Sequence, residues 1–259
     1  MRRAIISLIF FATAWLNALS APPAGMAFIP GGEYSPLFMR EAKPRSVQPF
    51  FLDTEPITNA RYLEFVRANP QWQRSQIKAV FADSNYLKHW AGDLELGAKA
   101  PPDAPVVNVS WFAARAYLKA QGKRLPSMDE WEFAARANKT KADASGDASF
   151  TEKILAWYSR PTPDVLSSTH DAEEDIHGVR GMHALVWEWV SDFNNAMGTG
   201  EGRDRNAIDR DLFCGAGALS SPNPGNYAAF MRFAFRSSLQ GSYCVANLGF
   251  RGAKSIPTP

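Results

Sequence analysis

Cysteine and histidine are scarce in this chain, with 2 Cys and 4 His among 259 residues. None of the histidines, His89, His170, His177 or His183, is spaced as a His-x-x-His or His-x-x-x-His metal pair. A helical two-histidine site is therefore excluded, and each histidine reads as a loop or partly buried residue. Cys214 and Cys244 leave three readings open. In an oxidising compartment they are a candidate disulfide, closing a loop of roughly 30 residues worth ~3 to 4 kcal/mol in chain-entropy terms. They are otherwise two inert buried thiols, or Cys214 belongs to a redox or metal site. No basic stripe interleaved with aromatics occurs, so nucleic acid is not an expected partner and a protein or peptide is. No Ser/Gly/Pro-rich linker and no internal repeat divides the chain, which predicts one domain able to bury a sizeable core.

No apolar run reaches the ~20 residues that span a bilayer. The N-terminus instead has Arg2 and Arg3, an apolar stretch from Ile5 to Ala18, and small residues at Ala18, Ser20 and Ala21. That layout predicts a signal peptide over 1–20 and a mature domain over 21–259, periplasmic or secreted, with no stable membrane span. The full chain carries a formal charge of +2 from 28 basic and 26 acidic residues. Loss of Arg2 and Arg3 with the signal leaves 26 of each sign, so the mature chain is neutral.

Three helices are legible. Thr58 is an N-cap for a segment in which Tyr62, Phe65 and Val66 recur at helical spacing, with Pro70 beyond its end. Ser110 caps a second, with Trp111, Ala114 and Tyr117 or Leu118 on one side and Gly122 as its stop. Ser127 starts a third, with Glu130 placed to close a capping box. Short apolar runs at 50–52, 106–109 and 186–190 predict short strands joined by long irregular connections. In the last, alternation puts Trp187 and Trp189 on one face and Val186, Glu188 and Val190 on the other. The polar run 139–149 and the Gly-rich run 195–205 read as solvated loops.

The segment Gly122-Lys-Arg-Leu-Pro-Ser-Met-Asp-Glu-Trp-Glu-Phe-Ala-Ala-Arg-Ala-Asn138 recurs with others in a characteristic order. Met26-Ala-Phe-Ile-Pro-Gly-Gly-Glu-Tyr, Pro49 to Tyr62 and Pro105-Val-Val-Asn-Val-Ser-Trp111 precede it. Ala156-Trp-Tyr-Ser159, Val186-Trp-Glu-Trp-Val-Ser-Asp192 and Asn247-Leu-Gly-Phe-Arg251 follow. Together these motifs cover residues 26 to 253. The chain in this respect resembles the formylglycine-generating enzyme family, also called the sulfatase-modifying-factor family.

The resemblance implies a compact α+β fold related to C-type lectins, with little regular secondary structure. It does not extend to the family's copper chemistry, in which two cysteines spaced Cys-x4-Cys hold copper(I) after a Gly-Gly-Ser-type turn. That turn matches Gly215-Ala-Gly217, and the two cysteine positions fall on Ser220 and Gly225, neither of which is a thiolate ligand. Cys214, bordering the turn, is the one catalytic candidate. An iron centre is not implied either, because the helical domain that completes it in the related sulfoxide synthases is missing.

The resemblance also implies a structural calcium site at Glu188, with backbone carbonyls matching Ala184 and Val186. The usual Asp or Asn ligand is Gly181 here, so the set falls short of calcium's 6 to 8 oxygens. The alternative is a glutamate held by arginine or backbone donors, because an acidic side chain between two valines needs a partner if buried. Trp187 matches a groove-lining tryptophan, against plain core packing. Arg232, Arg236 and Arg251 are either structural or peptide-binding. Two functions are expected from this pattern. One is an exported maturation factor acting oxidatively on a protein or small metabolite without the copper pair. The other is a non-catalytic accessory or binding protein for a periplasmic redox enzyme such as copper nitrite reductase, since the 213–238 region resembles members found beside such reductases. A lectin reading rests on fold analogy alone.

Overall fold

A computed structural model describes residues 21–36, 44–194 and 224–256. Strands β1 (Met26–Ile29) and β4 (Phe50–Asp53) pair antiparallel, with Met26 opposite Asp53, and β7 (Ala253–Ser255) adds to the other side of β4. The C-terminal strand thereby closes the sheet against the first part of the chain. All four residues of β4 are buried, as a central strand covered on both faces requires. Its Asp53 is satisfied by the backbone N–H of Gly252 at 2.7 Å and by Lys123 Nζ at 2.5 Å. Two short pairs complete the strand content: β2 (Gly32–Tyr34) with β3 (Arg45–Val47), and the parallel pair β5 (Trp187–Glu188) with β6 (Leu248–Gly249).

The three expected helices form with the expected caps. Thr58 accepts from Arg61 N at the start of α1 (Asn59–Ala68), and Ser110 from Ala113 N at the start of α2 (Trp111–Ala120). In α3 (Met128–Ala134) the capping box closes: Glu130 N donates to Ser127 Oγ at 3.1 Å, and Ser127 N to Glu130 Oε2 at 2.8 Å. Arg124 then clamps Glu130 through both oxygens at 2.6 and 2.7 Å.

Two further helices, α4 (Ala148–Tyr158) and α5 (Pro224–Ser237), pack on each other. The polar run read as a loop to 149 therefore ends in the first turn of α4. The run 106–109 is buried but forms no strand; its bonds go to separate partners, Val106 N to Ile57 O and Asn108 N to Val245 O. Strand geometry in the 186–190 run is confined to Trp187–Glu188. Trp189 does not share Trp187's surface: it is fully buried, and its indole donates to Val109 O at 2.9 Å. A single aromatic core centres on Tyr62, which contacts Phe65, Trp90, Tyr117 and Phe250 at 5.5 to 6.2 Å.

Candidate functional site

The β5–β6 pairing is what assembles the site. It sets Trp187 opposite Leu248 and Glu188 opposite Gly249, which delivers Arg251 to the Glu188 carboxylate. Gly249 is required at this crossing, because a Cβ there would stand 2.7 Å from Val106 O. Arg251 Nε lies 2.9 Å from both Glu188 oxygens and Nη2 lies 2.8 Å from Oε1. Trp131 Nε1 donates to Oε2 at 2.7 Å, and both members of the pair are excluded from solvent. The remaining guanidinium donors reach the carbonyls of Asp53 and Arg180. Of the two partners considered for Glu188, the arginine is the one present.

The surroundings do not fit calcium. Gly181, at the position of the missing ligand, has φ +72°, and Leu185 Cδ1 lies 2.5 Å from where its Cβ would be. Val186 is buried, Ala184 is exposed, and a cation at Glu188 would displace a bound guanidinium. Among the described residues no group of three His, Cys, Asp or Glu side chains is placed to hold a metal.

A second buried ionic cluster lies on the other side of Trp131. Glu132 on α3 takes both arginines of α5: Arg232 through Nε at 2.9 and 3.0 Å and Nη2 at 2.7 Å, and Arg236 through Nη1 at 2.6 Å. Burial alone would raise the Glu132 carboxyl, but the two guanidiniums outweigh it and hold the pKa at about 2. Arg236 also stacks over Trp131 at 4.4 Å. Trp131 thus bonds Glu188 with its edge and carries Arg236 on its face, joining the two clusters.

On this base stands an aromatic wall. Trp187 stacks on Tyr158 at 4.8 Å, tilts against Phe235 at 4.6 Å and meets Trp157 at 5.5 Å. All four rings are half-buried. The Tyr158 hydroxyl accepts from Arg232 Nη1 at 3.0 Å, which ties the wall to the ionic base. The structure therefore separates the candidate binding residues. Trp187 is on a surface, whereas Arg232, Arg236 and Arg251 are locked beneath it as supports. Trp157 and Tyr158 lie within the Ala156–Ser159 motif and Trp131 and Glu132 within the Gly122–Asn138 motif, but no site role is read for Glu132 or Phe235 from sequence. The spacing of Arg232 and Arg236, one helical turn apart, was the available signal for Glu132.

His183 sits under the same cluster, edge-on to Trp131 at 5.5 Å. Its Nε2 lies 2.8 Å from Ala135 O, and burial pulls its pKa down to about 3, so it is neutral. His89 is likewise held neutral by burial, at about 4. Cys244 is a free, buried thiol donating to Ser242 O, and the other half of the disulfide considered above, Cys214, lies outside the described residues. Burial, then the nearby Asp83, pushes the thiol's pKa up, away from a reactive thiolate. Alkylation of the native protein is expected to leave Cys244 unmodified, while denaturation without reductant exposes it to labelling; mass spectrometry of the tryptic peptide distinguishes the two. Cys214, the turn 215–217 and Ser220 lie outside the described residues. Gly225 is buried in the first turn of α5.

The sulfatase-modifying factor enzyme 1-like domain matches residues 15–256. A relative from Bos taurus described as "Inactive C-alpha-formylglycine-generating enzyme 2" is 27% identical, over 95% of this chain and 93% of its own. The formylglycine-generating enzyme of Streptomyces coelicolor is 28% identical, over 80% of this chain and 78% of its own. The crystal structure of CarF superposes with a TM-score of 0.50 at 16% identity, covering 91% of this chain and 99% of CarF, which establishes likeness of fold. This protein belongs to the sulfatase-modifying-factor family and has its mixed α+β fold.

Proposed function

We propose that this protein is an exported maturation factor that holds a segment of a client polypeptide against the Trp187 wall and does not generate formylglycine. The carrying observation is the wall itself: four half-buried rings on a base of buried, fully engaged ion pairs. Half-buried aromatics fixed from below present a large apolar surface with little rotamer entropy left to lose, the property of binding hot spots. The base itself is reserved for support, since Glu132 and Glu188 already hold three arginines. Arg251 takes the part that calcium plays in the family pattern. Oxidation of the client, where it occurs, draws on a group other than the Cys-x4-Cys pair, with Cys214 the candidate.

A non-catalytic accessory role uses the same wall, and copper nitrite reductase is the client class to which the 213–238 pattern points. Metal-free nitrite reductase is therefore the probe. It is expected to bind the mature protein, and Trp187→Ala is expected to weaken binding by about tenfold or more, the usual consequence of truncating an aromatic hot spot. Equal binding by wild type and Trp187→Ala would remove the wall from the account. A Cys-x-Pro-x-Arg peptide incubated with the protein and copper(I) is expected to remain unconverted by mass spectrometry. Robust formylglycine formation would overturn the chemical half of the proposal.

A further inference from the structure

The solvent side of α2 carries a cleft of about 640 Å3 that shares no lining residue with the Trp187 wall. Its floor is aromatic. Trp72, Phe81, Phe112 and Trp111 follow one another in ring contacts of 5.9, 5.8 and 5.4 Å. Phe81 is 39% exposed and its neighbour Val80 68% exposed, so an apolar edge stands open to water beside the cleft. The Phe112 ring is fixed from behind by Gly241, where a Cβ would lie 3.0 Å from it.

The rim is cationic. Arg115 and Lys119 are one turn apart on α2, Lys123 and Arg124 follow it, and no Asp or Glu lines the cleft. Two of these four charges are committed, Lys123 to Asp53 at 2.5 Å and Arg124 to Glu130 at 2.6 Å. Arg115 instead has its guanidinium carbon over the Trp111 ring, 4.4 Å from the centroid, and Lys119 is exposed in the last turn of the helix. The helix dipole accounts for a cation at Lys119. It does not account for Arg115, or for a row of rings beside two cations that have no ion-pair partner among the described residues.

We infer that this cleft docks an extended acidic segment of a partner polypeptide, with carboxylates on Arg115 and Lys119 and an aromatic side chain on the Phe81–Phe112 floor. A guanidinium whose carbon sits over an indole face can still offer N–H donors to a carboxylate. The apolar floor rewards burial of a ring at the same time. Two cations without an ion-pair partner among the described residues match a short acidic segment and are too few to track a phosphate backbone.

Fluorescence anisotropy of the mature protein tests this with three labelled peptides of equal length: alternating Glu and Phe, Glu alone, and alternating Lys and Phe. Wild type is expected to bind the Glu/Phe peptide about tenfold tighter than Glu alone, with affinity falling as salt rises. The double variant Arg115→Glu/Lys119→Glu changes exposed side chains only, and its circular dichroism should match wild type. It is expected to lose the Glu/Phe peptide by about tenfold and to gain the Lys/Phe peptide. A smaller change, equal binding of Glu alone, or tighter binding of oligo-dT would overturn the proposal. So would a wild-type dimer that the charge reversal dissociates, since the occupant would then be a second copy of this chain. None of these results touches the Trp187 wall.

Discussion

Glu188→Gln is expected to lower the unfolding free energy by about 3 kcal/mol or more, and added calcium is expected to recover none of it. The reason lies in what the substitution leaves behind. Arg251 is wholly buried, and among the described residues Glu188 is its one ion-pair partner. A neutral amide cannot balance the charge, so the guanidinium keeps its desolvation cost without the attraction that offset it. Folded domains have only 5–15 kcal/mol in total, so a loss of this size moves the denaturant midpoint clearly. The double variant Glu188→Gln/Arg251→Met removes both charges, and it is expected to be more stable than Glu188→Gln alone. A wild type whose melting temperature rises with calcium while that of Glu188→Gln does not would restore the calcium site, because only a ligand bound to the native state stabilises it.

The second large effect is at Glu132. Its replacement by Gln strands two buried guanidiniums, Arg232 and Arg236, and is expected to cost at least as much as Glu188→Gln. The same carboxylate gives an acid signature. Its pKa is depressed from an ordinary 4.5 to about 2, a difference worth roughly 3 kcal/mol. A depressed carboxylate stabilises the folded state in full above the unfolded pKa, and that stability is lost as pH falls through the folded one. Wild type should therefore lose stability progressively from about pH 4.5 towards pH 2. Glu132→Gln, less stable throughout, should show a shallower decline over the same window. Parallel curves for the two proteins would mean that the arginines are balanced elsewhere.

Local signals explain what was legible in the sequence. Each of the three anticipated helices begins at a Ser or Thr whose hydroxyl caps it, a bond made within three residues. Helix α5 was missed although its buried residues, Gly225, Ala228, Ala229, Arg232, Phe233 and Arg236, fall at helical spacing. Two of the six are arginines, which a hydrophobic-periodicity reading places outside. Glu132, about a hundred positions away, balances both charges and lets them be interior residues. The same limit applied to Glu188. The strand pattern showed that a buried acid needed a partner, but the partner depended on the parallel β5–β6 pairing. Trp187 and Trp189 were placed together by alternation, and strand geometry that lasts two residues divided them between surface and core.

Photo-cross-linking at the wall is the most direct measurement. With p-benzoylphenylalanine at Phe235 in the native host, irradiation is expected to join the protein to one exported client. The adducts should map to a single segment of that client, and Trp187→Ala should abolish them. The same cross-linker at exposed Ile176 should give no such adduct. Adducts equally abundant from both positions, or unaffected by Trp187→Ala, would contradict a client-binding wall.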